Sequence, residues 1–277
     1  MAGRVAGKVA LITGAARGQG RSHAVRLAQE GADIIALDLC DQVASVGYPL
    51  ATPADLAETV GLVEALDRRA VAVQADVRDH AGLVKALDDA VAQLGQLDIV
   101  SANAGILSFG TAAGLDEASW QDMIDVNLTG VWHTARAVIP HLIASGRGGS
   151  IVLTSSGVVL RGTPNCAHYV SAKHGLVGLM RTLALELAPH WIRVNSLHPT
   201  SVDTAMIRNP QTLGLFRPDL ENPGVDDVVA TFQAKNALPI PWVEAVDVSN
   251  ALLFLVSDEA RYITGVPLPV DAGYSII

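Results

Sequence analysis

The sequence predicts an α/β doubly wound (Rossmann) fold: a seven-stranded parallel sheet with helices on both faces. Short apolar runs without polar alternation recur along the chain, as expected of strands buried on both sides. Between them lie segments whose apolar residues return about every 3.6 positions. The two kinds of segment alternate almost from end to end, which is the pattern of βα units.

The first run, Val9–Thr13, follows Arg4 and Lys8 and passes directly into a glycine turn. Its apolar part is too short for a secretory leader, so it reads as a buried strand. Asp33–Leu37, Val71–Gln74, Asp98–Ala102, Ser150–Thr154, Arg193–Leu197 and Val266–Val270 read the same way. Val25–Glu30, Leu83–Leu94, Met123–Ile143 and Leu176–Leu187 carry helical spacing. No composition shift marks a second domain, so residues 1–277 read as one. Two stretches break the rhythm. Residues 39–55, with Gly47, Tyr48-Pro49 and Thr52-Pro53, exceed the usual strand-to-helix loop of about 2–6 residues. Residues 201–241 hold five prolines (210, 218, 223, 239 and 241) and read as a lid.

Composition excludes several classes of function. Half the residues are hydrophobic, enough for a core and against general disorder. A net charge of −9 argues against nucleic acid or an anionic membrane surface as the main partner. Two cysteines cannot build a disulfide framework and suit a reducing compartment. No apolar run reaches the ~18–20 residues of a membrane span, so a cytoplasmic protein is expected.

Thr13-Gly14-Ala15-Ala16-Arg17-Gly18-Gln19-Gly20 stands between the first strand and the first helix. Glycines there permit a tight turn and let backbone N–H groups approach a pyrophosphate. A glycine turn alone is weak evidence; the flanking strand and helix and the acid Asp38, 18 residues beyond Gly20, strengthen it. Asp38 suits ribose hydroxyls and repels a 2′-phosphate, which favours NAD over NADP. Arg17 pulls the other way if it faces a phosphate, and is otherwise a solvated charge. Asp76-Val77, after the third strand, falls on the adenine side of the same edge, though a surface turn would look the same.

Tyr169 and Lys173 are four apart at the start of a helical segment, on one face. Ser156 follows the fifth strand, and Asn127 lies inside the helical segment before it. Singly, these read as an amphipathic surface pair, a turn cap and a satisfied core amide. Cys166, His168 and His174 interleave with the pair but have no fourth ligand in sequence, so no metal is expected. Trp120, Trp132, Trp191 and Trp242 are scattered and read as core or interface packing.

With the glycine turn, Asn103-Ala104-Gly105, Asn127, Ser156 and Tyr169-x-x-x-Lys173, the sequence resembles the short-chain dehydrogenase/reductase family along its whole length. His198-Pro199-Thr200-Ser201-Val202-Asp203-Thr204 corresponds to that family's Pro-Gly-x-Val-x-Thr segment, with Thr200 in the glycine position, and Gln19 stands where most members carry Ile. The resemblance implies Tyr169 as general acid/base, with Lys173 and the cofactor's positive charge favouring its phenolate. It implies Ser156 as a hydrogen-bond partner of the reacting oxygen, and Asn127 as support for a water between Lys173 and solvent. Lys173 would also hold the nicotinamide ribose, with Pro199, Val202 and Thr204 beside the cofactor.

Gly14–Arg21, Ala32–Asp38, Tyr48-Pro49-Leu50-Ala51-Thr52, Asp125–Trp132 and the His198-Pro199-Thr200 turn resemble a narrower, mycofactocin-associated, carveol-dehydrogenase-like group. That resemblance implies tightly held NAD recycled through the mycofactocin redox partner. Residues 39–55 leave the strand directly after Asp38, beside the adenosine ribose, and read as a clamp over the adenine end; a solvent loop or an oligomer contact is the alternative. It also implies a homotetramer. Ile106, Leu107, Val158, Leu160, Met206, Ile207 and Phe216 are the expected apolar lining for a hydrophobic secondary alcohol or ketone such as a terpenoid. The alternatives are ordinary exchange of NAD(P) and a non-catalytic dinucleotide sensor; the sensor is disfavoured because Asn127, Ser156, Tyr169 and Lys173 are all present.

Overall fold

The computed structural model describes residues 3–277. Its seven strands are β1 (Val9–Thr13), β2 (Asp33–Asp38), β3 (Ala70–Gln74), β4 (Ile99–Ala102), β5 (Gly149–Thr154), β6 (Ile192–Pro199) and β7 (Pro267–Val270). They form one parallel sheet in the order β3-β2-β1-β4-β5-β6-β7. The chain reverses direction across the sheet between β1 and β4, and such a switch point opens a crevice at the carboxyl ends of the strands.

The continuous apolar runs arise because the inner strands serve two cores. Val9 and Leu11 of β1 face one side with Leu83 and Leu87 of α3 (His80–Leu94) and Val138 of α5 (Gly130–Ser145). Leu176 and Met180 of α6 (Ala167–Leu187) join them. Ala10 and Ile12 face the other side with Leu27 of α1 (Gly18–Gln29), Leu56 of α2 (Pro53–Glu64) and Leu252 of α9 (Ala245–Val256). The alternation is strict, as the strand period of two requires.

Two expectations are corrected. Residues 39–55 are not all loop: Thr52 caps α2, Pro53 is its first residue, and Asp55 closes a capping box, so the loop ends at Thr52. Met123–Ile143 is not one regular helix: α4 (Glu117–Ile124) passes through a π-helical turn, Asp125–Thr129, into α5. Trp120, Trp132 and Trp191 lie exposed, so of the two expected placements they take the surface one. Within 201–241 the chain forms two short helices, α7 (Pro210–Phe216) and α8 (Val225–Gln233).

Where α1 packs on α9, His23 is fully buried; its Nδ1 and the Ser249 hydroxyl share a hydrogen bond at 2.8 Å, while Nε2 has no partner. Burial pushes its pKa down from 6.5 to about 3, because a charged ring would leave an unpaired N–H in the core. The folded value lies below the unfolded one, so stability is complete above pH 6.5 and falls as the pH drops from there toward 3. This group alone should remove about 2 kcal/mol between pH 7.5 and 5. His198, buried and pushed down to about 4, adds a similar loss. Denaturant titration at both pH values should show His23→Asn losing about 2 kcal/mol less than the wild type. An equal loss would remove His23 as a source of acid lability.

Candidate active site

Side chains tie together the ends of β1, β4 and β5. Thr13 Oγ1 accepts from the backbone N–H groups of Asn103 and Ala104, both at 3.0 Å, and Asn103 Nδ2 donates back to the Thr13 carbonyl at 3.0 Å. Thr154 Oγ1 donates to Asn103 Oδ1 at 3.5 Å, and Lys173 Nζ donates to the Thr154 carbonyl at 2.9 Å. The ammonium near the base of α6 is therefore fixed to the sheet by the same chain of bonds that shapes the glycine turn.

Gly14 sits at φ +68°, and a Cβ there would lie 2.9 Å from Ala104 Cα. Only glycine permits that approach. Helix α1 begins at Gly18 with Arg17 as N-cap and no side-chain cap, which leaves its leading N–H groups open to an anion. Asp38 Oδ2 accepts from Ala16 N at 2.9 Å and Oδ1 from Cys40 N at 3.2 Å. The carboxylate braces the turn and keeps lone pairs facing the cavity.

A cavity of about 390 Å³ runs along this edge, lined by Gly14, Arg17, Gly18, Gln19, Gly20, Asp38, Asp76, Val77, Asn103, Ala104, Gly105 and Thr204. A second, of about 150 Å³, is lined by Ser156, Tyr169, Lys173, Leu107, Val158, Met206, Pro199 and Val202. The two meet at Gln19, Asn103, Gly105, Ile106, Thr204 and Met206. Gln19 Oε1 is buried at that junction without a hydrogen-bond partner. Of the expected apolar lining, Ile106, Ile207 and Phe216 also reach the second cavity. Leu160 does not: it is 44% exposed and lies outside.

Tyr169 is half-buried, and desolvation in the pocket pushes its hydroxyl up to about 12, with Ser156 pulling against the shift. Lys173 is pushed down to about 8 by the same desolvation. Its Nζ stands 5.6 Å from the Tyr169 ring centre but spends a proton on Thr154. In the protein alone, burial therefore outweighs the lysine's expected lowering of the tyrosine pKa.

The Asn127 side chain is fully buried and held by its neighbours. Its Oδ1 accepts from Ile106 N at 3.1 Å, and its Nδ2 donates to Ile106 O at 3.0 Å and to Met123 Sδ at 2.6 Å. The amide is spent on the Ile106 peptide, so its side chain positions the wall at the junction. A Cβ on Gly105 would sit 2.7 Å from Asn127 Oδ1 and 3.5 Å from Lys173 Nζ, so the three groups fit only without it. The π-turn carrying Asn127 is of the kind often found at functional sites. Thr200 has no positive φ and needs no glycine; its hydroxyl donates to Asn236 Oδ1 at 3.2 Å.

Sequence reasoning missed the fastening of residues 39–52. Arg17 Nη2 donates to the Pro49 carbonyl at 2.7 Å, so this guanidinium, which lines the larger cavity, is also tied to the loop. The Gln42 side chain spans the loop, donating to the carbonyls of Val43, Val46 and Tyr48 and accepting from Leu50 N. Ser45 Oγ donates to Asp122 at 2.7 Å, and Arg78 bridges Asp122 to Asp76. Val43, Val46 and Tyr48 are buried, and Tyr48 lies against the Leu107 backbone. Gly47 packs on Gln211 of α7, so the two irregular stretches meet above the cavities. His168 is buried against Ser108 at 2.9 Å, and Cys166 lines the smaller cavity.

An uncapped helix end beside a carboxylate, opening onto a Tyr-Lys-Ser cavity, is the arrangement of a dinucleotide-binding oxidoreductase. The chain belongs to the short-chain dehydrogenase family, whose profile matches residues 8–212. It is 60% identical over 274 residues to the (-)-trans-carveol dehydrogenase of Rhodococcus erythropolis, covering 99% of both chains. The crystal structure of carveol dehydrogenase from Mycobacterium avium in complex with NAD superposes with a TM-score of 0.98 at 60% identity, covering 99% of this chain and 100% of that one. More distant is the 3-alpha-(or 20-beta)-hydroxysteroid dehydrogenase of Mycobacterium tuberculosis, 37% identical over 99% of this chain and 91% of that one.

Proposed function

We propose that the protein is an NAD-dependent alcohol dehydrogenase that interconverts a hydrophobic secondary alcohol and its ketone. The observation that carries this is the meeting of the two cavities, which places Tyr169 and Ser156 beside the junction at Gln19 and Gly105. The residues fit NAD: the open end of α1 takes a pyrophosphate, Asp38 takes ribose hydroxyls, and the unpartnered Gln19 Oε1 awaits a donor. NAD, when bound, supplies the hydride acceptor and a positive ring charge near the tyrosine.

Ser156 orients the substrate oxygen, and Tyr169 exchanges a proton with it. At neutral pH a tyrosine raised to about 12 carries its proton, the form that donates to a forming alkoxide during ketone reduction. Alcohol oxidation requires the phenolate, which the Lys173 ammonium and the cofactor charge favour. Asn127 holds the Gly105–Ile106 wall in place for both directions.

The fastened loop supports a tightly held NAD that is reoxidised in place, with mycofactocin as the redox partner. A cytoplasmic homotetramer completes the reading, and the exposed Trp132, Leu185, Trp191 and Tyr262 supply apolar surface for assembly. The test is oxidation of carveol-type alcohols by the purified protein, with absorbance used to find co-purified NAD. Turnover with an electron-accepting dye but not with added NAD is expected. Ready turnover with added NAD would overturn in-place recycling, and inactivity with both would favour the non-catalytic sensor.

A further inference from the structure

Helix α8 ends at Gln233, and Phe232 and Lys235 stand three positions apart at that end. Phe232 is buried and stacks against Phe216 of α7, ring centres 4.4 Å apart at 57°. Lys235 Nζ lies 3.8 Å from the Phe216 ring centre and 5.6 Å from that of Phe232. All three side chains line the smaller cavity, the one that holds Tyr169 and Ser156. An aromatic face partly compensates an ammonium for lost water but accepts none of its three N–H groups as a carboxylate would.

No such acceptor is present. Among the described residues Lys235 forms no salt bridge and no side-chain hydrogen bond, and the cavity lining contains no aspartate or glutamate. The Cys166 thiol nearby stays neutral, because burial pushes it up to about 11. The other charge felt at Lys235 is the Arg161 guanidinium, which donates to the Tyr274 carbonyl at 3.1 Å and lies over that ring. In a chain of net charge −9, this rim of the cavity is positive and lacks a counter-ion. The lining has one other lysine, Lys173, whose Nζ is bonded to the Thr154 carbonyl at the Tyr169 end; a fixed charge at the opposite end, among Phe216 and Phe232, orients a ligand by its matching end.

We propose that Lys235 forms a carboxylate subsite, and that the substrate is a hydrophobic secondary alcohol or ketone bearing a carboxylate at the end remote from the carbinol. The inference rests on the dehydrogenase reading above and goes past it: a neutral terpenoid alcohol would leave the ammonium without a partner. The carboxylate would seat against Lys235 with Arg161 strengthening the field. The apolar body would lie along Phe216, Ile207 and Val158, and the carbinol would face Tyr169.

The test compares kcat/KM for 4-hydroxycyclohexanecarboxylate and 4-methylcyclohexanol, both isomers of each, on the NAD-loaded full chain with an electron-accepting dye as the oxidant. The readout is the ratio between the two alcohols. Lys235→Met keeps the stem packed on the two rings but removes the charge; it should lower the carboxylate-to-neutral ratio by about tenfold or more. Lys235→Arg should restore most of it. A ratio that does not move in K235M overturns the proposal, as does a failure of arginine to restore it. If the wild type oxidises neither alcohol, the dehydrogenase reading fails for this class, and the subsite is still read by calorimetry with 4-oxocyclohexanecarboxylate. A Kd weakened about tenfold in K235M supports the subsite; an equal Kd, or no binding to the wild type, overturns it.

Discussion

Replacing Tyr169 with phenylalanine is expected to lower kcat by at least about a hundredfold while leaving bound NAD in place, the scale on which a positioned acid/base contributes. The substitution removes a single oxygen. The ring packs partly buried against the main core and stands 5.6 Å from Lys173 Nζ, and phenylalanine keeps both contacts. Lys173 itself is anchored to the Thr154 carbonyl at 2.9 Å and does not need the hydroxyl to stay in position. Loss of activity with normal melting and normal NAD content therefore reports proton transfer alone. A variant within tenfold of the wild type would remove Tyr169 from its role and leave Ser156 as the remaining hydroxyl beside the substrate oxygen. The pH profile supplies a second readout. In the oxidation direction the wild-type rate should rise as Tyr169 loses its proton, from below its apo value of about 12 once a positive charge is bound nearby. The phenylalanine variant's residual rate should lack that limb.

The inner strands were legible because the sheet is covered on both faces there, so each is a run of apolar residues whichever way its side chains point. The glycine turn, Asp38 and the Tyr-Lys spacing were legible for a different reason: their function depends on local backbone geometry, which sequence spacing encodes. What escaped was set by partners distant in sequence. Arg17 has the same appearance whether it faces a phosphate or the Pro49 carbonyl, 32 residues away. Nothing in the sequence around Asn127 points to the Ile106 peptide, which bonds both ends of its side chain. The π-turn at Asp125–Thr129 shifts the register by one residue and leaves apolar spacing almost unchanged. The start of α2 was readable, since Thr52, Pro53 and Asp55 are the cap, the first-turn proline and the box acid. The prolines at 49 and 53 drew attention to a turn instead. Lys235 had only a weak signal, its three-residue spacing from Phe232; the second ring comes from another helix.

The loop leads to the second large effect. Removing its two internal fasteners by combining Gln42→Ala with Ser45→Ala should speed release of bound NAD by about ten- to a hundredfold. Neither residue lines the cofactor cavity, whereas their neighbours Asp41, Val43, Tyr48 and Leu50 do. A change in retention therefore has to pass through the loop. Gln42 satisfies four backbone groups of the loop from within, and Ser45 ties it to Asp122 across the cavity. A net hydrogen bond is worth about 1 kcal/mol, and each 1.4 kcal/mol is tenfold; with three of the five bonds sharing the two Gln42 N–H protons and water replacing others, a net loss of about 2–3 kcal/mol opens the loop one to two orders of magnitude more often. The quantity to measure is the rate at which NAD leaves during dialysis or chases against labelled NAD. Shortening the loop should have a larger effect in the same direction. Dye-linked turnover should persist in the double variant at saturating NAD, because the Tyr169 and Ser156 end of the site is untouched. Added NAD should now exchange and support multiple turnovers that the wild type does not. If release is unchanged with the fasteners gone, the loop is only a wall of the cavity, and tight retention has to come from contacts at the glycine turn and Asp38.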